Sequence, residues 1–471
     1  MLALLFALAS AAQVFELGSR RELLVDRVLI ERASGAELRL VEPREAGPVL
    51  RLDAPWEGPF SGYFTVIYDG ARYRLYYRGL PSAGPNGSSR EVTCYAESSD
   101  GVHWTKPRLG LFEVGGTRDN NVILAGQRPF SHNFSPFLDT RPGVPPAERY
   151  KALAGTSNTG LHAFVSADGI RWRPLRDEAV IPAPDRAALD SQNVAFWSEA
   201  EARYVCYYRT WKRIGNTDYR WISRATSEDF LHWTPPVEMD FSDAPPEHLY
   251  TNQTFPYFRA PHLYLGLAAR FLPGRRVLTE EQVRRIGVDP RYAGDCSDAV
   301  LLTSRGGARY DRTFREAFVR PGLGPANWVS RANYPALNIV PTGPHEMSFY
   351  VTRHYAQPSA HLNRYVLTLD RIASLHAGHR AGEAWTRPLR FRGRELEINY
   401  STSAAGMLRI EITDAGGKPL PGYALDDCPE IVGDEIEGTV RWRGRSDVSK
   451  LAGQVVRLHV VLKDADLYAL R

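Results

Sequence analysis

The segment S-D-G-V-H-W, residues 99–104, decides the fold because it returns along the chain. It is repeated as A-D-G-I-R-W at 167–172, and more loosely as E-D-F-L-H-W at 228–233 and R-G-G-A-R-Y at 305–310. The closing aromatic residues are 68, 61 and 77 residues apart. A repeat of this length holds about four strands, which is the size of one β-propeller blade.

A β-hairpin pattern accompanies the repeat. Residues 62–79 read G-Y-F-T-V-I-Y-D-G-A-R-Y-R-L-Y-Y-R-G, in which an apolar run reaches an Asp-Gly turn and an alternating strand follows. Comparable hairpins begin near residues 133, 193, 252 and 333. Five hairpins predict a five-bladed β-propeller over residues 51–378.

The D-G-x-x-W element has a structural interpretation. Asp-Gly forms a tight turn between strands. A tryptophan then fills the gap between neighbouring blades, where a large flat side chain buries the most area. We therefore predict that Trp104, Trp172 and Trp233 are packing residues, and we do not expect the aspartates of these turns to be catalytic.

The pattern changes after about residue 375. Short alternating strands between 389 and 470 predict an antiparallel β-sandwich over residues 385–471. Residues 13–50 are predicted to be an N-terminal strand segment that packs on the propeller. Residues 278–286 predict a short helix in an insertion of blade four, with Thr279 as its N-cap. The predicted fold class is all-β, a five-bladed β-propeller followed by a C-terminal antiparallel β-sandwich.

The N-terminus predicts export. Residues 1–12, M-L-A-L-L-F-A-L-A-S-A-A, are apolar and end in an A-x-A pattern, which indicates a signal peptide and a secreted or periplasmic protein. A basic region before the apolar run is missing, so a first buried strand or a misassigned start codon is the alternative. The rest of the sequence contains no run of about 18 apolar residues, so no membrane span is predicted.

Composition narrows the function classes. The 471 residues include 10 Trp, 23 Tyr and 19 Phe, which suits both strand packing and sugar stacking. The 58 basic and 54 acidic residues are interspersed, so no nucleic-acid partner is expected. The four cysteines are far apart and contain no C-x-x-C pair, which favours buried free thiols over disulfides or zinc binding.

Several familiar site motifs are absent. The sequence has no G-x-G-x-x-G after a strand, no G-x-x-x-x-G-K-[ST], no G-x-S-x-G and no H-E-x-x-H. Nucleotide cofactors, a hydrolase elbow and a zincin site are therefore not expected. No cofactor is predicted; a structural calcium ion in the channel is compatible with the sequence but is not indicated by any ligand cluster.

Candidate site residues lie in the segments that lead into the inner strands, called approach segments below, because these segments converge on one mouth of a propeller. Three of them carry a carboxylate: Glu57, Asp190 and Glu247. Amides and histidines suit sugar hydroxyls, aromatic rings stack on sugar faces, and an arginine suits a carboxylate or sulfate. The candidate substrate-binding residues are Trp56, His132, Asn133, Asn193, His248, Tyr250, Asn252, Trp328, Arg331 and Asn333.

This pattern resembles the five-bladed-propeller glycosidases of glycoside hydrolase families 32, 43, 62 and 68, and in particular the bacterial proteins labelled "glycosyl hydrolase family 32 domain-like". The resemblance covers residues 50–376. It implies hydrolysis of an oligo- or polysaccharide, with Glu57 as nucleophile or base, Asp190 as a residue that orients and tunes the acid, and Glu247 as general acid. Residues 56–59 read W-E-G-P where invertases carry W-x-N-D-P-N-G, so fructan specificity is not implied.

Two other functions fit parts of the same pattern. A non-catalytic carbohydrate-binding propeller would use the aromatic and amide residues without a paired acid and base. A sialidase-like six-bladed enzyme is suggested by the D-G-x-x-W turns, but it would need a sixth hairpin and an arginine triad.

Overall fold

A computed structural model describes residues 14–127, 129–183 and 188–471. They form two compact units, one of residues 42–369 and one that combines the chain up to residue 41 with residues 370–471. The signal peptide predicted for residues 1–12 lies outside the described residues and stays a prediction.

The unit of residues 42–369 is a five-bladed β-propeller, which confirms the predicted fold, and each blade is a separate antiparallel sheet. The strands of blades one, two and three are, in order from the inner strand outward, Gly62–Tyr68, Tyr73–Gly79, Val92–Ser98 and Val122–Leu124; Ser135–Leu138, Tyr150–Thr156, Gly160–Ser166 and Arg173–Pro174; and Val194–Ser198, Arg203–Ile214, Thr217–Ser227 and Val237–Glu238.

Blade four has a divided inner strand. Its two parts, His248–Thr251 and Thr254–Tyr257, both pair with Ala260–Leu272, whose other edge pairs with Cys296–Ser304. The insertion between the last two strands carries the helix Glu280–Ile286. As predicted, Thr279 caps this helix, since its side chain accepts a hydrogen bond from the Gln282 backbone.

Blade five is completed by the beginning of the chain. Its strands Val340–Pro341, Glu346–Arg353 and His361–Thr368 are followed by Arg44–Arg51, which pairs antiparallel with His361–Thr368. The segment 13–50 is therefore divided between the two units, whereas the whole segment was predicted to pack on the propeller. The physical reason is the open edge of the last blade, which needs a strand to satisfy its backbone groups.

The D-G-x-x-W turns have the structural role predicted for them. In the first turn, Ser98 Oγ accepts a hydrogen bond from Gly101 N at 2.9 Å. Asp100 Oδ1 accepts from the backbone N–H groups of Val102 and His103 at 2.8 Å each. The same bonds recur around Asp168 and Asp229. These aspartates are turn anchors.

The tryptophans after these turns pack between blades, as predicted. Trp172 lies edge-on to Tyr76 of blade one, with ring centroids 6.3 Å apart, and to Phe134 at 4.9 Å. Trp104 lies edge-on to Tyr350 of blade five at 5.8 Å. Trp233 packs against the apolar cluster shared by blades two and three.

Buried amides cross the axial channel. Gln253 Nε2 of blade four donates to Gln192 Oε1 of the third approach segment at 2.7 Å and to Pro335 O at 2.9 Å. Gln192 Nε2 in turn donates to Thr65 Oγ1 of blade one at 2.6 Å. The channel is thus divided, with the approach segments on one side and a mainly apolar cavity of about 320 Å³ at the exit ends of the inner strands on the other.

The second unit is a ten-stranded β-sheet around its own core, as expected for a C-terminal β-domain. Its long strands pair antiparallel with each other, and Leu408, Ile410 and Trp442 are among the buried core residues. The domain begins at residue 370 and includes N-terminal strands, so the boundaries differ from those predicted. Its strands are Phe15–Gly18, Glu22–Leu23, Ile30–Ser34, Glu37–Leu40, Ala373–Ala377, Gly382–Thr386, Leu389–Phe391, Glu397–Asp414, Asp434–Thr439 and Val455–Leu470.

Two further predictions concern thiols and membranes. All four cysteines are buried free thiols, as expected from their spacing. Of the helices within the described ranges, none combines the length and apolar character that crossing a membrane requires.

Short 3₁₀ turns lie at Phe130–His132, Pro146–Glu148, Pro290–Tyr292, Pro325–Asn327, Leu425–Asp427 and Ser449–Leu451.

Candidate active site

Three guanidinium groups surround the ring of Tyr250 where the approach segments meet. The Cζ atoms of Arg209, Arg220 and Arg331 lie 5.3, 5.1 and 5.0 Å from the ring centroid. We call these three residues the arginine cluster. Tyr250 itself is buried, and the Ser191 hydroxyl donates a hydrogen bond to its backbone oxygen at 2.6 Å. The ring is therefore a fixed support for positive charge.

The hairpin of blade three and the approach segment of blade five supply the arginine cluster. Arg209 and Arg220 lie on the long hairpin of blade three, where the ring of Trp211 stands 5.5 Å from the first guanidinium and 4.9 Å from the second. Arg331 precedes blade five and has a φ of 61°, a left-handed conformation that is costly for a non-glycine residue. Its guanidinium also lies against the ring of Tyr292, at 5.3 Å.

Asp190 is a carboxylate that pairs with this cluster through Arg209. Its Oδ1 lies 3.0 Å from His132 Nε2, and its Oδ2 lies 3.4 Å from Arg209 Nη2. The side chain is 27% exposed. Burial raises the pKa of Asp190, but the hydrogen bond from His132 and the charges of Arg209, His132 and Arg331 outweigh it and lower the pKa to about 2. Asp190 is therefore an ionised, reachable carboxylate at neutral pH.

His132 fixes the position of that carboxylate. It is 2% exposed, and its Nδ1 lies 3.0 Å from Glu91 Oε1. Arg78, which donates to Phe60 O at 3.0 Å, approaches the same ring nitrogen at 3.3 Å. The imidazole thus bridges two carboxylates and is held from three sides, which makes it a positioning residue for Asp190.

Tyr63 adds a neutral hydroxyl to the site. It is the second residue of the inner strand of blade one, it is half-buried, and its ring lies edge-on to His132 at 5.8 Å. The guanidinium of Arg78 lies over the ring at 4.7 Å. Burial first, and then the charges of Tyr250 and Asp190, raise the pKa of Tyr63 well above its ordinary value. Its phenol keeps its proton and can donate a hydrogen bond.

Glu57 lies apart from this group and has structural partners. The residue is fully buried, and its Oε2 accepts from Lys106 Nζ at 2.6 Å and from the Ala54 backbone at 3.0 Å. Its Oε1 accepts from the hydroxyl of Tyr77, a core residue of blade one. Both carboxylate oxygens have partners within the protein, so the position implied for a nucleophile or base holds an internal ion pair here.

Glu247 is also engaged by cations. Its Oε1 accepts from Arg270 Nη1 at 2.9 Å and its Oε2 from Arg312 Nη1 at 2.7 Å. The side chain is 22% exposed. Both oxygens accept from arginine, whereas a carboxyl that protonates a leaving group must carry its hydrogen on one of them.

The asparagines predicted to bind sugar instead hold the approach segments in place. All four are buried, and their amides bond mainly to backbone groups. Asn133 Nδ2, for example, donates to Gly155 O, Leu189 O and Ser191 O at 2.7–2.9 Å. The same kind of bond is made by Asn193, Asn252 and Asn333. These polar side chains can be buried at the start of the inner strands because their amides form hydrogen bonds with backbone groups of the approach segments.

The remaining predicted residues are divided between the site and the core. His248 lies beside the arginine cluster, since its Nδ1 accepts from the Arg220 backbone at 3.3 Å. Trp56 Nε1 bonds to Asn121 at 2.8 Å while the ring packs on blade one. Trp328 Nε1 bonds to Gly322 O at 2.9 Å, and its ring packs with the blade-four insertion. Neither tryptophan contacts the arginine cluster through a described interaction.

Sequence reasoning missed the arginines of the second strands, although a repeat marks them. In four blades the second strand carries an arginine that bonds to a polar residue of an approach segment. These pairs are Arg78 with His132, Arg209 with Asp190, Arg270 with Glu247 and Arg353 with Asn333. The signal was present as Y-Y-R at 76–78 and again at 207–209.

Metal ligation has no support from the described side chains. In residues 14–127, 129–183 and 188–471, no group of three or more His, Cys, Asp and Glu could hold a metal ion. The prediction that the protein needs no cofactor stays a prediction.

No known family profile matches the sequence, and no curated protein matches it. Solved structures similar to the chain include a β-1,2-mannobiose phosphorylase from Listeria innocua, at TM-score 0.45 and 11% identity over 70% of this chain and 97% of that one. An N-acetylgalactosamine deacetylase from F. plautii has TM-score 0.46 and 14% identity over 72% and 97%. A fructofuranosidase from Schwanniomyces occidentalis has TM-score 0.39 and 10% identity over 91% and 98%. The function is therefore inferred from this chain's own side chains.

Proposed function

We propose that the propeller is a glycoside hydrolase that cleaves an oligo- or polysaccharide at the mouth where Asp190 lies. The observation that carries this proposal is an ionised and reachable carboxylate, held by His132 and Arg209. Glycosidic cleavage develops positive charge at the anomeric carbon, and a fixed carboxylate stabilises that charge or attacks the carbon directly. Asp190 is the residue we assign to this role.

The surroundings of Asp190 suit a sugar ring. Half-buried Tyr63, Tyr292 and Trp211 expose part of their rings near the arginine cluster, and Tyr63 offers a hydroxyl donor. Carbohydrate sites combine such flat apolar faces with a few fixed polar groups. The aromatic residues of this mouth would orient the plane of the sugar ring by stacking, and the ionic groups would fix the position of the sugar along the site.

Glu247 stays the candidate for general acid. Proton donation would require one of its two guanidinium partners, Arg270 or Arg312, to move away from it when substrate binds. The variant Glu247→Gln tests the assignment. A loss of turnover with retained binding supports the acid role, whereas unchanged turnover with lower thermal stability assigns Glu247 to the ion pairs alone.

The decisive experiment is a glycan hydrolysis screen with the anomeric form of the products followed by NMR. Asp190→Asn should lower kcat by about 1,000-fold or more on any glycan that the wild type cleaves. Asp119→Asn is the matched control, because Asp119 is an exposed partner of Arg108 away from the mouth. Wild-type turnover by the Asp190→Asn protein would overturn the proposal.

A non-catalytic carbohydrate-binding propeller is the second candidate function. It is favoured by one observation, namely that Glu57 and Glu247 both have cationic partners on their oxygens. It predicts glycan binding without release of reducing ends from any glycan of the screen. The six-bladed sialidase-like alternative does not fit a ring of five blades.

Export is part of the same proposal. An enzyme that degrades an extracellular polysaccharide must be exported to reach it. Residues 1–12 have the composition of a signal sequence. N-terminal sequencing of the mature protein tests this: loss of about the first dozen residues supports export, and an intact Met1 contradicts it.

A further inference from the structure

Positive charge exceeds negative charge around Asp190. Arg78, Arg209, Arg220 and Arg331 all lie on or next to the rings of Tyr63 and Tyr250. Within residues 14–127, 129–183 and 188–471, the carboxylates that face this group are Asp190 and Glu91, and both are already bonded to His132. Two cations at the mouth therefore have no anionic partner among the described side chains.

The two cations in question are Arg220 and Arg331. Within the described part of the chain, neither forms a side-chain hydrogen bond or an ion pair, and the Nε atom of each is buried without a partner. Arg220 lies instead against Trp211, Tyr250 and Phe271 at 4.7–5.1 Å. Arg270, by contrast, bonds to two carboxylates.

Such an arrangement is costly in the ligand-free protein. A guanidinium withdrawn from water without an anion loses hydration, and cation–π contacts recover only part of it. Burial lowers the pKa of Arg220, and the charges of Arg209 and Arg331 lower it further. Arg331 in addition has a left-handed backbone. Strain and uncompensated charge at one place are what an anion site has before its anion binds.

We propose that the glycan bound at this mouth is anionic, and that its carboxylate or sulfate group docks between Arg220 and Arg331 over the ring of Tyr250. This inference rests on the proposed function. The fork of a guanidinium matches the paired oxygens of either group, so two arginines on one rigid ring would fix its position. Asp190, held on Arg209, would then face the sugar ring that carries the charge.

Binding by isothermal titration tests the inference. The full-length protein is titrated with D-glucuronate, D-galacturonate and galactose 6-sulfate, and with D-glucose and D-galactose as the neutral counterparts. We expect at least one anionic sugar to bind about 10-fold or more tightly than its neutral counterpart, and binding to weaken as salt increases. The uronate and sulfate arms identify which anionic group is preferred.

Variants locate the binding site. Arg331→Gln and Arg220→Met should each weaken the preferred anion about 10-fold or more, while Arg331→Lys should retain part of the affinity because it keeps the charge. Arg213→Met is the matched control, since Arg213 belongs to the same hairpin as Arg220 but is exposed and paired with Asp218. Thermal unfolding confirms that each variant is folded.

The outcomes separate this inference from the proposed function. Equal affinity for charged and neutral sugars, or anion binding that survives both Arg331→Gln and Arg220→Met, overturns the anion site. Turnover of neutral glycans alone also overturns it while the hydrolase proposal stands. Anion binding that needs both arginines, in a protein that cleaves no glycan, supports the anion site and contradicts the hydrolase.

Discussion

The Nε2 atom of His132 lies 3.0 Å from Oδ1 of Asp190, and the two residues come from the approach segments of neighbouring blades. The contact joins blade two to blade three at the mouth of the propeller. Because Glu91 of blade one holds the other nitrogen of the imidazole, three blades meet in one row of side chains. The reactivity of Asp190 therefore depends on how the blades are assembled.

Replacing the bridging imidazole should reduce turnover more than binding. In His132→Gln the carboxylate of Asp190 loses a hydrogen bond that lowers its pKa, so we expect kcat to fall about 10- to 100-fold with KM nearly unchanged. The acid limb of the pH–rate profile should move to higher pH. His232→Gln is the control, because His232 is an exposed turn residue bonded to Asp229. An unchanged acid limb would contradict the positioning role.

The low pKa of Asp190 should appear as a pH-dependent contribution to stability. A carboxyl that titrates at about 2 when folded, against 3.8 ordinarily, stabilises the protein above about pH 4 and loses this contribution as the pH falls towards 2. The shift corresponds to about 2 kcal/mol. Urea unfolding of wild type and Asp190→Asn should give free energies that converge between pH 4 and pH 2. A difference that is constant over this range would show that the carboxylate is not stabilised by folding.

Glu57→Gln should affect stability instead of chemistry. The substitution removes the buried one of the two carboxylates that pair with Lys106, the other being exposed Asp53, so we expect a loss of about 3 kcal/mol in the free energy of unfolding. The double variant Glu57→Gln with Lys106→Met should recover part of it. Activity per folded molecule should stay at the wild-type level. A large fall in kcat with unchanged stability would return Glu57 to the catalytic role implied by the resemblance.

Truncating an inter-blade tryptophan should weaken the ring of blades. Trp172→Ala removes the contacts with Tyr76 and Phe134, and we expect about 3 kcal/mol of destabilisation. Denaturant unfolding measures the loss. Trp211→Ala is a useful comparison, because Trp211 lies on the exposed hairpin of blade three and should cost less stability. Equal losses of unfolding free energy in the two variants would contradict a specific role of Trp172 in stabilising the contact between blades.

The fold was predictable from sequence because it depends on local, repeated patterns. Alternating apolar residues and Asp-Gly turns specify hairpins directly. The tryptophan that follows the turn recurs in blades one to three, at Trp104, Trp172 and Trp233. The division of residues 13–50 was not predictable in this way. The pairing of Arg44–Arg51 with His361–Thr368 is a contact between the two ends of the propeller, and no local pattern encodes it.

The site was predictable only in part, for a related reason. Asp190, His132, Tyr250 and Arg331 were found because each lies in a segment that leads into a hairpin recognisable in the sequence. The partners that decide what each side chain does are distant in sequence. Lys106 neutralises Glu57, and no spacing links the two. Chemical type and approximate location can be read from a repeat, but charge balance depends on which blades come into contact.

The strand Arg44–Arg51 has a consequence for the order of events in folding. Leu50 pairs with Leu362, so the ring closes only after roughly 300 intervening residues have been ordered. During synthesis on the ribosome, four blades can form while this early strand waits unpaired for the last hairpin to emerge. The pairing of Arg44–Arg51 with His361–Thr368 then closes the ring of blades. Separation of these two strands should be the first step of global unfolding.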